Sequence, residues 1–194
     1  MAHPPSATKI MLIRHAEKPV QDQPPVGALA GVEYDGSQSS KSLIVRGWQR
    51  AGGLACLFDP AHGPLQHPDL ARPQFLYAAL PGSDGDSQRP YETILPLSQR
   101  LQMTINIEYA KADTTPLVDD VRQCAGVVLI CWEHGEIPKI ANKILGDSTT
   151  APQKWPADRF DVVWVFDWLP KSSLYAFSQV PQCLLVGDSP SKIH

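Results

Sequence analysis

The sequence has 194 residues, of which 43% are apolar and 19% charged, and its formal net charge is −3. These values predict a single globular domain, residues 1–194, with a sizeable core, and they exclude a disordered chain. The small negative charge argues against a nucleic-acid binder that works by bulk electrostatics. No apolar run is long enough to span a membrane, so no membrane partner is expected.

Cysteine usage predicts the compartment. No C-x-x-C pair occurs, and most of the cysteines lie in apolar runs, which predicts buried, reduced thiols. Residues 1–6 lack the charged-then-apolar pattern of a secretion signal. A cytoplasmic location is therefore expected. The four cysteines are Cys56, Cys124, Cys131 and Cys183.

Apolar runs alternate with helical patterns along the chain. The predicted strands are residues 9–13, 75–79, 105–109, 126–132, 160–166 and 183–186. The predicted helices are residues 43–58, capped by Ser42, a segment from residue 89 that Pro96 is expected to break or kink, and residues 115–121 and 137–145. Residues 19–41 and 81–88, rich in Pro, Gly, Ser and Gln, are predicted loops that hold the specificity determinants.

The order of these elements predicts the fold. Residues 126–132 are apolar throughout, which indicates burial on both faces, as in a parallel sheet. Strands that alternate with helices predict a three-layer α/β/α sandwich with a mostly parallel central sheet. The strand at residues 160–166, with Trp164 and the nearby Trp168, is expected at an edge of the sheet, where it could pair with a second copy in a homodimer.

Two of the predicted strands end in the same kind of residue. The first is followed by Arg14-His15, and the central one by Glu133-His134. Because ligands bind beyond the carboxyl ends of strands in open α/β sheets, these residues are expected to meet at one edge. Arg89 begins a helix between them in the sequence, and a helix N-terminus favours anions. Guanidinium and imidazole groups together suit a phosphate.

These residue types support one kind of chemistry. A neutral imidazole can attack phosphorus and form a phosphohistidine, while fixed donors stabilise the charge on the phosphoryl oxygens. A carboxylic acid is then needed to protonate the leaving oxygen. A metal site in the segment 133–136 is disfavoured, because no further ligand has the spacing that would complete a zinc or di-metal set.

Four motifs in order resemble the histidine phosphatase (phosphoglycerate mutase-like) superfamily. That family begins with an apolar strand ending in Arg-His-Gly-Glu, and Arg14-His15-Ala16-Glu17 matches it with Ala in place of Gly. The next motifs are Leu-Thr-x-x-Gly-x-x-Gln-Ala in a helix, Tyr-Ala-Ser followed by Arg-Ala-x-Gln-Thr, and an apolar strand ending in His. Their counterparts are residues 43–51, residues 77–79 with 89–93, and residues 127–134.

The resemblance implies a role for each matched residue. His15 is the phosphate-accepting nucleophile, Arg14 and Arg89 clamp the phosphoryl group, and His134 completes the pocket. Glu17 lies behind the site and Lys18 at its rim, where they are assigned to substrate binding. The resemblance also implies that no metal or cofactor is needed.

Departures from the family pattern disfavour one activity of the family and leave the identity of the general acid undecided. Lys18-Pro19 replaces the Thr-x-x-Asn of many mutases, which disfavours mutase activity, and no acid directly follows His134. Glu108, after a predicted strand, is the first candidate for the general acid, because the mutase-like branch uses a carboxylate after the corresponding strand. Glu136 and Asp113 are the runners-up.

The predicted function is therefore a phosphatase that hydrolyses a phosphomonoester, on a small molecule or a phosphoprotein, through phospho-His15. One alternative is a phosphohistidine-protein phosphatase, whose good leaving group needs no strong acid. The other is a phosphate-binding or regulatory module that keeps the clamp without the acid.

Overall fold

The structure is a computed structural model, and it describes residues 6–19, 30–82 and 87–194. Six strands and four helices alternate through most of the chain. The strands are β1 (Ala7–Arg14), β2 (Phe75–Ala78), β3 (Ile105–Asn106), β4 (Gly126–Trp132), β5 (Val162–Leu169) and β6 (Leu174–Pro181). The helices are α1 (Val45–Phe58), α2 (Arg89–Leu101), α3 (Thr114–Val121) and α4 (Ile137–Leu145).

The strands form one sheet in the order β3-β2-β4-β1-β5-β6. The pairs β3–β2, β2–β4 and β4–β1 are parallel, whereas β5 runs antiparallel to β1 and β6 antiparallel to β5. The predicted α/β/α sandwich with a mostly parallel sheet is confirmed. In the β1–β4 register Arg14 lies opposite Trp132, so the residues that follow the two strands are neighbours.

Alternation of side chains along β1 and β4 builds a core on each face of the sheet. On one face Leu12 and Ile130 pack in the cluster that contains the buried residues of α3 and α4. On the other, Met11 and Leu129 pack with those of α1 and α2. Because the central strands are buried on both faces, their ends are held rigidly where the functional side chains begin.

Helix α2 differs from its prediction in one respect. It begins at Arg89, with Pro90 in the first turn, as predicted, but Pro96 does not end it. Proline removes one backbone hydrogen bond from a helix interior. The buried residues Ile94 and Leu97 hold the helix against the sheet on both sides of that position. Packing therefore outweighs the local preference.

The C-terminal region corrects two strand predictions. The segment at residues 160–166 was predicted at an edge, but β5 lies between β1 and β6, so the edge argument for a homodimer is wrong. Strand β6 was missed, and residues 183–186 form no strand. The four residues 170–173 join β5 to β6 as a hairpin. Short polar connections between apolar runs are a hairpin signal, and this one was overlooked.

Other predictions are corrected or fall outside the described part. Helix α1 has Ile44 rather than Ser42 at its N-cap, with no side-chain capping bond. Of the cysteines, predicted to be buried, Cys124 and Cys131 are, but Cys56 and Cys183 are exposed. Residues 20–29 and 83–86, within the two predicted specificity loops, lie outside the described residues. Within the described ranges, none of the helices has the length and apolar character needed to cross a membrane.

Candidate active site

His15 is held where β1 leaves the core. Its backbone N–H donates to the Trp132 carbonyl at 3.0 Å, which extends the β1–β4 pairing by one residue. The Ala16 amide donates to the Thr93 hydroxyl at 2.8 Å, so α2 fixes the next residue as well. The His15 side chain is buried, with 3% of its surface exposed. Hydrogen bonds from the backbone of residues 15 and 16 thus fix the segment that carries this imidazole.

The imidazole of His15 has a defined tautomer. Its Nδ1 lies 2.7 Å from the Ala16 carbonyl oxygen, which can only accept, so Nδ1 carries the proton and Nε2 keeps its lone pair. Burial, followed by the charge of Arg14, lowers the pKa of His15 to about 3. The ring is therefore neutral in ordinary buffers, which is the form that a nucleophile requires.

Backbone carbonyls and an aromatic ring hold the Arg14 guanidinium. Its Nη1 donates to the carbonyls of Pro156, Ala157 and Arg159 at 3.2, 2.7 and 2.9 Å. Its Cζ lies 3.8 Å from the centroid of the Phe160 ring, within the range of a cation–π contact. The guanidinium is thereby fixed in position and orientation.

The other end of Arg14 has no partner. Its Nε and Nη2 are buried and make no hydrogen bond to any part of the chain that the structure describes. Burial lowers the pKa of Arg14 to about 10, although Glu133, Asp158 and Glu17 act in the opposite sense. Buried charged donors without acceptors are costly, and an anion that accepts from both N–H groups would remove that cost.

A cleft of about 470 Å³ opens beside His15. Of the described residues that line it, four carry positive charge and one carries a carboxylate, so the cleft favours an anion. The cations are Lys18, Lys41, Arg89 and Lys111, and the carboxylate is Glu133. The remaining lining residues are His15, Ser40, Ala79, Leu80, Ser87 and Pro90.

Arg89 reaches the cleft from the first residue of α2. Its Nη2 donates to the Ser40 carbonyl at 2.6 Å and its Nε to the Ser42 carbonyl at 3.3 Å. These bonds fix the loop before α1 as well as the guanidinium. Burial lowers the pKa of Arg89, and Glu92 acts in the opposite sense. The structure brings Arg89 and His15 to the same cleft, as predicted from the order of the motifs.

Lys18 also lines the cleft, three residues after the nucleophile candidate. Burial lowers its pKa, as do the charges of Arg14 and Arg89, whereas Glu133 raises it. The Lys18 ammonium adds positive charge to the cleft that His15 and Arg89 also line. Its place agrees with the rim position that the resemblance implies.

Glu17 is placed behind the cleft rather than in it. Its carboxylate accepts from Arg50 Nη2 at 2.8 Å and from Arg46 Nε at 3.2 Å. Arg50 is 2% exposed and also binds Asp188 at 2.7 Å, which joins the C-terminal region to the loop after β1. Burial alone would lower the pKa of Arg50, but Asp188 and Glu17 raise it. Glu17 therefore holds two arginine side chains and is not placed to contact a substrate.

The glycine of the helix motif has a steric explanation. A Cβ at Gly47 would lie 2.5 Å from the carbonyl oxygen of Glu17. That same carbonyl accepts from the Ile44 amide at 3.1 Å at the start of α1. Close approach of the helix to the loop after β1 thus requires a residue without a side chain.

His134 and Glu133 follow β4, but only Glu133 lines the cleft. Glu133 Oε1 lies 2.5 Å from His134 Nδ1, at angles that do not make a hydrogen bond, and Oε2 accepts from the Gly135 amide at 2.9 Å. Burial alone would raise the pKa of Glu133, but the contacts with His134 and Gly135 outweigh it and lower the pKa to about 2. His134 is thus adjacent to the site through Glu133.

Sequence reasoning missed Glu133 as a site residue. The signal was available, because Glu133 directly follows the strand that pairs with β1, one residue before the histidine that was chosen. His134 was predicted instead, first from the pairing of two strand-end histidines and then from the family motif. Strand-end geometry alone points first to the residue that leaves the sheet.

None of the predicted acids reaches the cleft. Glu108 is exposed, and Glu136 pairs with Lys139 at 2.9 Å at the start of α4. The Asp113 carboxylate accepts from the Ala110 amide at 3.0 Å, before α3. The structure therefore does not bring these three carboxylates to His15. In the described ranges there is also no group of three His, Cys, Asp or Glu side chains that could hold a metal ion.

No protein-family model matches the sequence, and no curated protein matches it significantly. Solved structures do match. A protein assigned as the phosphohistidine phosphatase SixA of Agrobacterium tumefaciens superposes with a TM-score of 0.50 at 15% identity, over 88% of this chain and 96% of that one. The chain has the histidine phosphatase fold.

Two mycobacterial proteins show the same likeness. The native glucosyl-3-phosphoglycerate phosphatase superposes with a TM-score of 0.50 at 13% identity, over 88% of this chain and 97% of that one. A protein named mycobacterial hydrolase 1 gives a TM-score of 0.51 at 13% identity, over 95% of this chain and all of that one. At such identities the likeness establishes the fold, so the activity has to be inferred from the side chains of the site.

Proposed function

We propose that the protein is a phosphatase that hydrolyses a phosphomonoester through a covalent intermediate on His15. The observation that carries this proposal is the pair of unpartnered, buried N–H groups on Arg14, beside a neutral imidazole whose Nε2 keeps its lone pair. A tetrahedral phosphoryl group offers acceptors for Arg14 and an electrophile for His15 at once. The substrate is a phosphorylated small molecule or a phosphoprotein.

The first half-reaction follows from this geometry. Nε2 of His15 forms a bond to phosphorus while the bond to the leaving oxygen breaks and its electron pair goes to that oxygen. Arg14, Arg89 and Lys18 offset the charge on the phosphoryl oxygens. Arg89 and Lys18 line a cleft whose described residues include one carboxylate and four cations. Because donors and backbone are fixed beforehand, little reorganisation is needed in the transition state.

A second candidate is a phosphohistidine-protein phosphatase. It is favoured by one observation: Glu108, Glu136 and Asp113 all lie outside the cleft. A substrate whose leaving group needs little protonation, such as phosphohistidine or an aryl phosphate, suits such a site. Comparing the turnover of a phosphohistidine protein with that of p-nitrophenyl phosphate and an alkyl phosphate separates the two candidates.

Rapid quenching with ³²P-labelled substrate tests the proposal. Wild-type protein is expected to retain acid-labile label, and His15→Ala to retain none and to lose turnover. His62→Ala, which changes an exposed histidine, is the matched control and should behave as wild type. Equal labelling of His15→Ala would overturn the proposal. Saturable phosphate binding without any hydrolysis would instead indicate a binding module. EDTA is expected to leave turnover unchanged.

A further inference from the structure

Glu133 has a position that the proposed reaction leaves unused. It is the one carboxylate among the described residues that line the cleft. The β1–β4 register pairs Arg14 with Trp132, so His15 and Glu133 leave the sheet side by side.

The Glu133 carboxylate is held in place. One oxygen accepts from the Gly135 amide at 2.9 Å, and the other lies 2.5 Å from Nδ1 of His134. The bond from Gly135 lies in the turn that directly follows β4, so the side chain is oriented next to the end of a rigid strand. With 28% of its side chain exposed, it can still contact a water molecule in the cleft. A positioned carboxylate with access to water is the arrangement of a general base.

We propose that Glu133 is the general base of the second half-reaction, an inference that rests on the proposed function. A water oxygen attacks phosphorus in phospho-His15, and one of its protons passes to the Glu133 carboxylate. The bond between phosphorus and Nε2 breaks, its electron pair returns to Nε2, and inorganic phosphate is released. Glu133 then loses the proton to solvent, which restores the starting enzyme.

The charge of the intermediate suits this role. In the resting enzyme the carboxylate is ionised, so it is ready to accept a proton. A phosphoryl group on His15 adds negative charge next to it, and a like charge raises the pKa of a carboxyl group. Glu133 therefore becomes a stronger base at the stage when the water must be activated.

The same charge makes Glu133 a poor acid for the first half-reaction. A leaving oxygen that needs protonation would take its proton from the monoanionic substrate instead. The two half-reactions should therefore respond differently to substrate and to mutation. Phosphorylation of His15 should depend strongly on the leaving group, and dephosphorylation should depend on Glu133.

Stopped-flow and quench measurements with p-nitrophenyl phosphate test this division. In Glu133→Gln we expect a burst of p-nitrophenol equal to the enzyme concentration, at a rate within a few-fold of wild type, followed by a steady state slower by about 100-fold. Phospho-His15 should accumulate to nearly one per molecule. Asp59→Asn, whose carboxylate binds Arg72 and Arg100 at the far end of α1, is the matched control and should show neither change.

Other outcomes would overturn the inference. A burst rate that falls as much as the steady state would mean that Glu133 supports phosphorylation or structure rather than dephosphorylation. Accumulation of phosphoenzyme in Glu108→Gln or Glu136→Gln, with normal turnover in Glu133→Gln, would assign the base elsewhere. These results differ from failure of the proposed function, in which the wild type itself forms no phosphoenzyme.

A second variant covers the event that Glu133→Gln folds poorly. Glu133→Ala leaves space for a small carboxylate, so added formate should accelerate the decay of its phosphoenzyme at least 10-fold and leave the wild type unaffected. A purely structural role would not be rescued by formate. If Glu133→Ala turns over as fast as wild type without formate, the inference is wrong.

Discussion

The hydroxyl of Thr93 accepts a hydrogen bond from the Ala16 amide at 2.8 Å. The same hydroxyl donates to the Arg89 carbonyl at 2.6 Å. This buried side chain, one turn into α2, therefore links the loop that carries His15 to Arg89. The two halves of the proposed phosphate site, about 75 residues apart in the sequence, are joined through this single oxygen atom.

Thr93→Val should remove both hydrogen bonds of this hydroxyl while keeping the size and shape of the side chain. Valine keeps the volume but leaves the Ala16 amide buried without an acceptor, which costs about 1–3 kcal/mol of the free energy of unfolding. Turnover should also fall, because His15 and Arg89 lose their common support. Urea denaturation and steady-state kinetics measure the two effects.

Ser98→Ala is the control for this variant. The Ser98 hydroxyl donates to the Met103 carbonyl at 2.6 Å, towards the other end of the same helix. Its removal should lower stability while turnover remains normal. If the two variants lose turnover equally, the link between Thr93 and Ala16 has no special importance.

Arg14→Lys should weaken anion binding. Lysine keeps the charge, but one ammonium group cannot replace a guanidinium that contacts three carbonyls and still presents two N–H groups. We expect phosphate or vanadate to bind at least 10-fold more weakly, about 1.4 kcal/mol, as measured by calorimetric titration. Arg122→Lys is matched, because Arg122 also donates to two carbonyls, those of Lys143 and Ile144 near the end of α4. Equal weakening in both variants would contradict the assignment.

Stability should depend on pH through His15. Its pKa is about 3 in the folded protein, below the ordinary value of about 6.5 in the unfolded chain. Between these values the unfolded state binds more protons, so the free energy of unfolding rises with pH, by at most about 1.4 kcal/mol per pH unit from this group. His15→Asn should lose this part of the slope between pH 4 and 6.5. Chemical denaturation across that range measures it, with His62→Asn as the variant that should retain the wild-type slope.

The buried ion pairs around Arg50 should matter more than surface pairs. Asp188→Ala leaves part of a buried guanidinium without its partner and should cost about 3–5 kcal/mol. Asp167→Ala breaks a partly exposed pair with Lys9 and should cost less than about 1 kcal/mol. Both are measured by urea denaturation. Similar losses in the two variants would show that burial does not govern these pairs.

Some of this structure could be read from the sequence and some could not. The strands Ala7–Arg14 and Gly126–Trp132 were predictable because apolar residues on both faces leave little alternative to a central parallel pair. The strand Leu174–Pro181 was missed because it is the outermost strand of the sheet and mixes exposed with buried residues. His15 and the helix-starting Arg89 were expected at one edge of the sheet, and both line the cleft, because their backbone positions follow from element order.

The predictions that were wrong depend on the direction in which a side chain points. The turn after β4, in which the Gly135 amide donates to the Glu133 carboxylate, decides whether His134 or Glu133 enters the cleft. A pattern of residue types does not encode the geometry of that turn. Glu108 was chosen by analogy of position, but its exposure depends on the short strand β3 and the loop that follows. The contact between Arg50 and Asp188 spans 138 residues and leaves no local signal.

The contact between Arg50 and Asp188, residues far apart in the sequence, has a consequence for the synthesis of the protein. Gln182 and Asp188 both bind Arg50, which in turn holds Glu17, two residues after His15. During translation His15 and Arg89 are synthesised well before Gln182 and Asp188, the residues that hold Arg50. A nascent chain tethered to the ribosome should therefore be unable to bind phosphate at the proposed site until about residue 188 has left the exit tunnel.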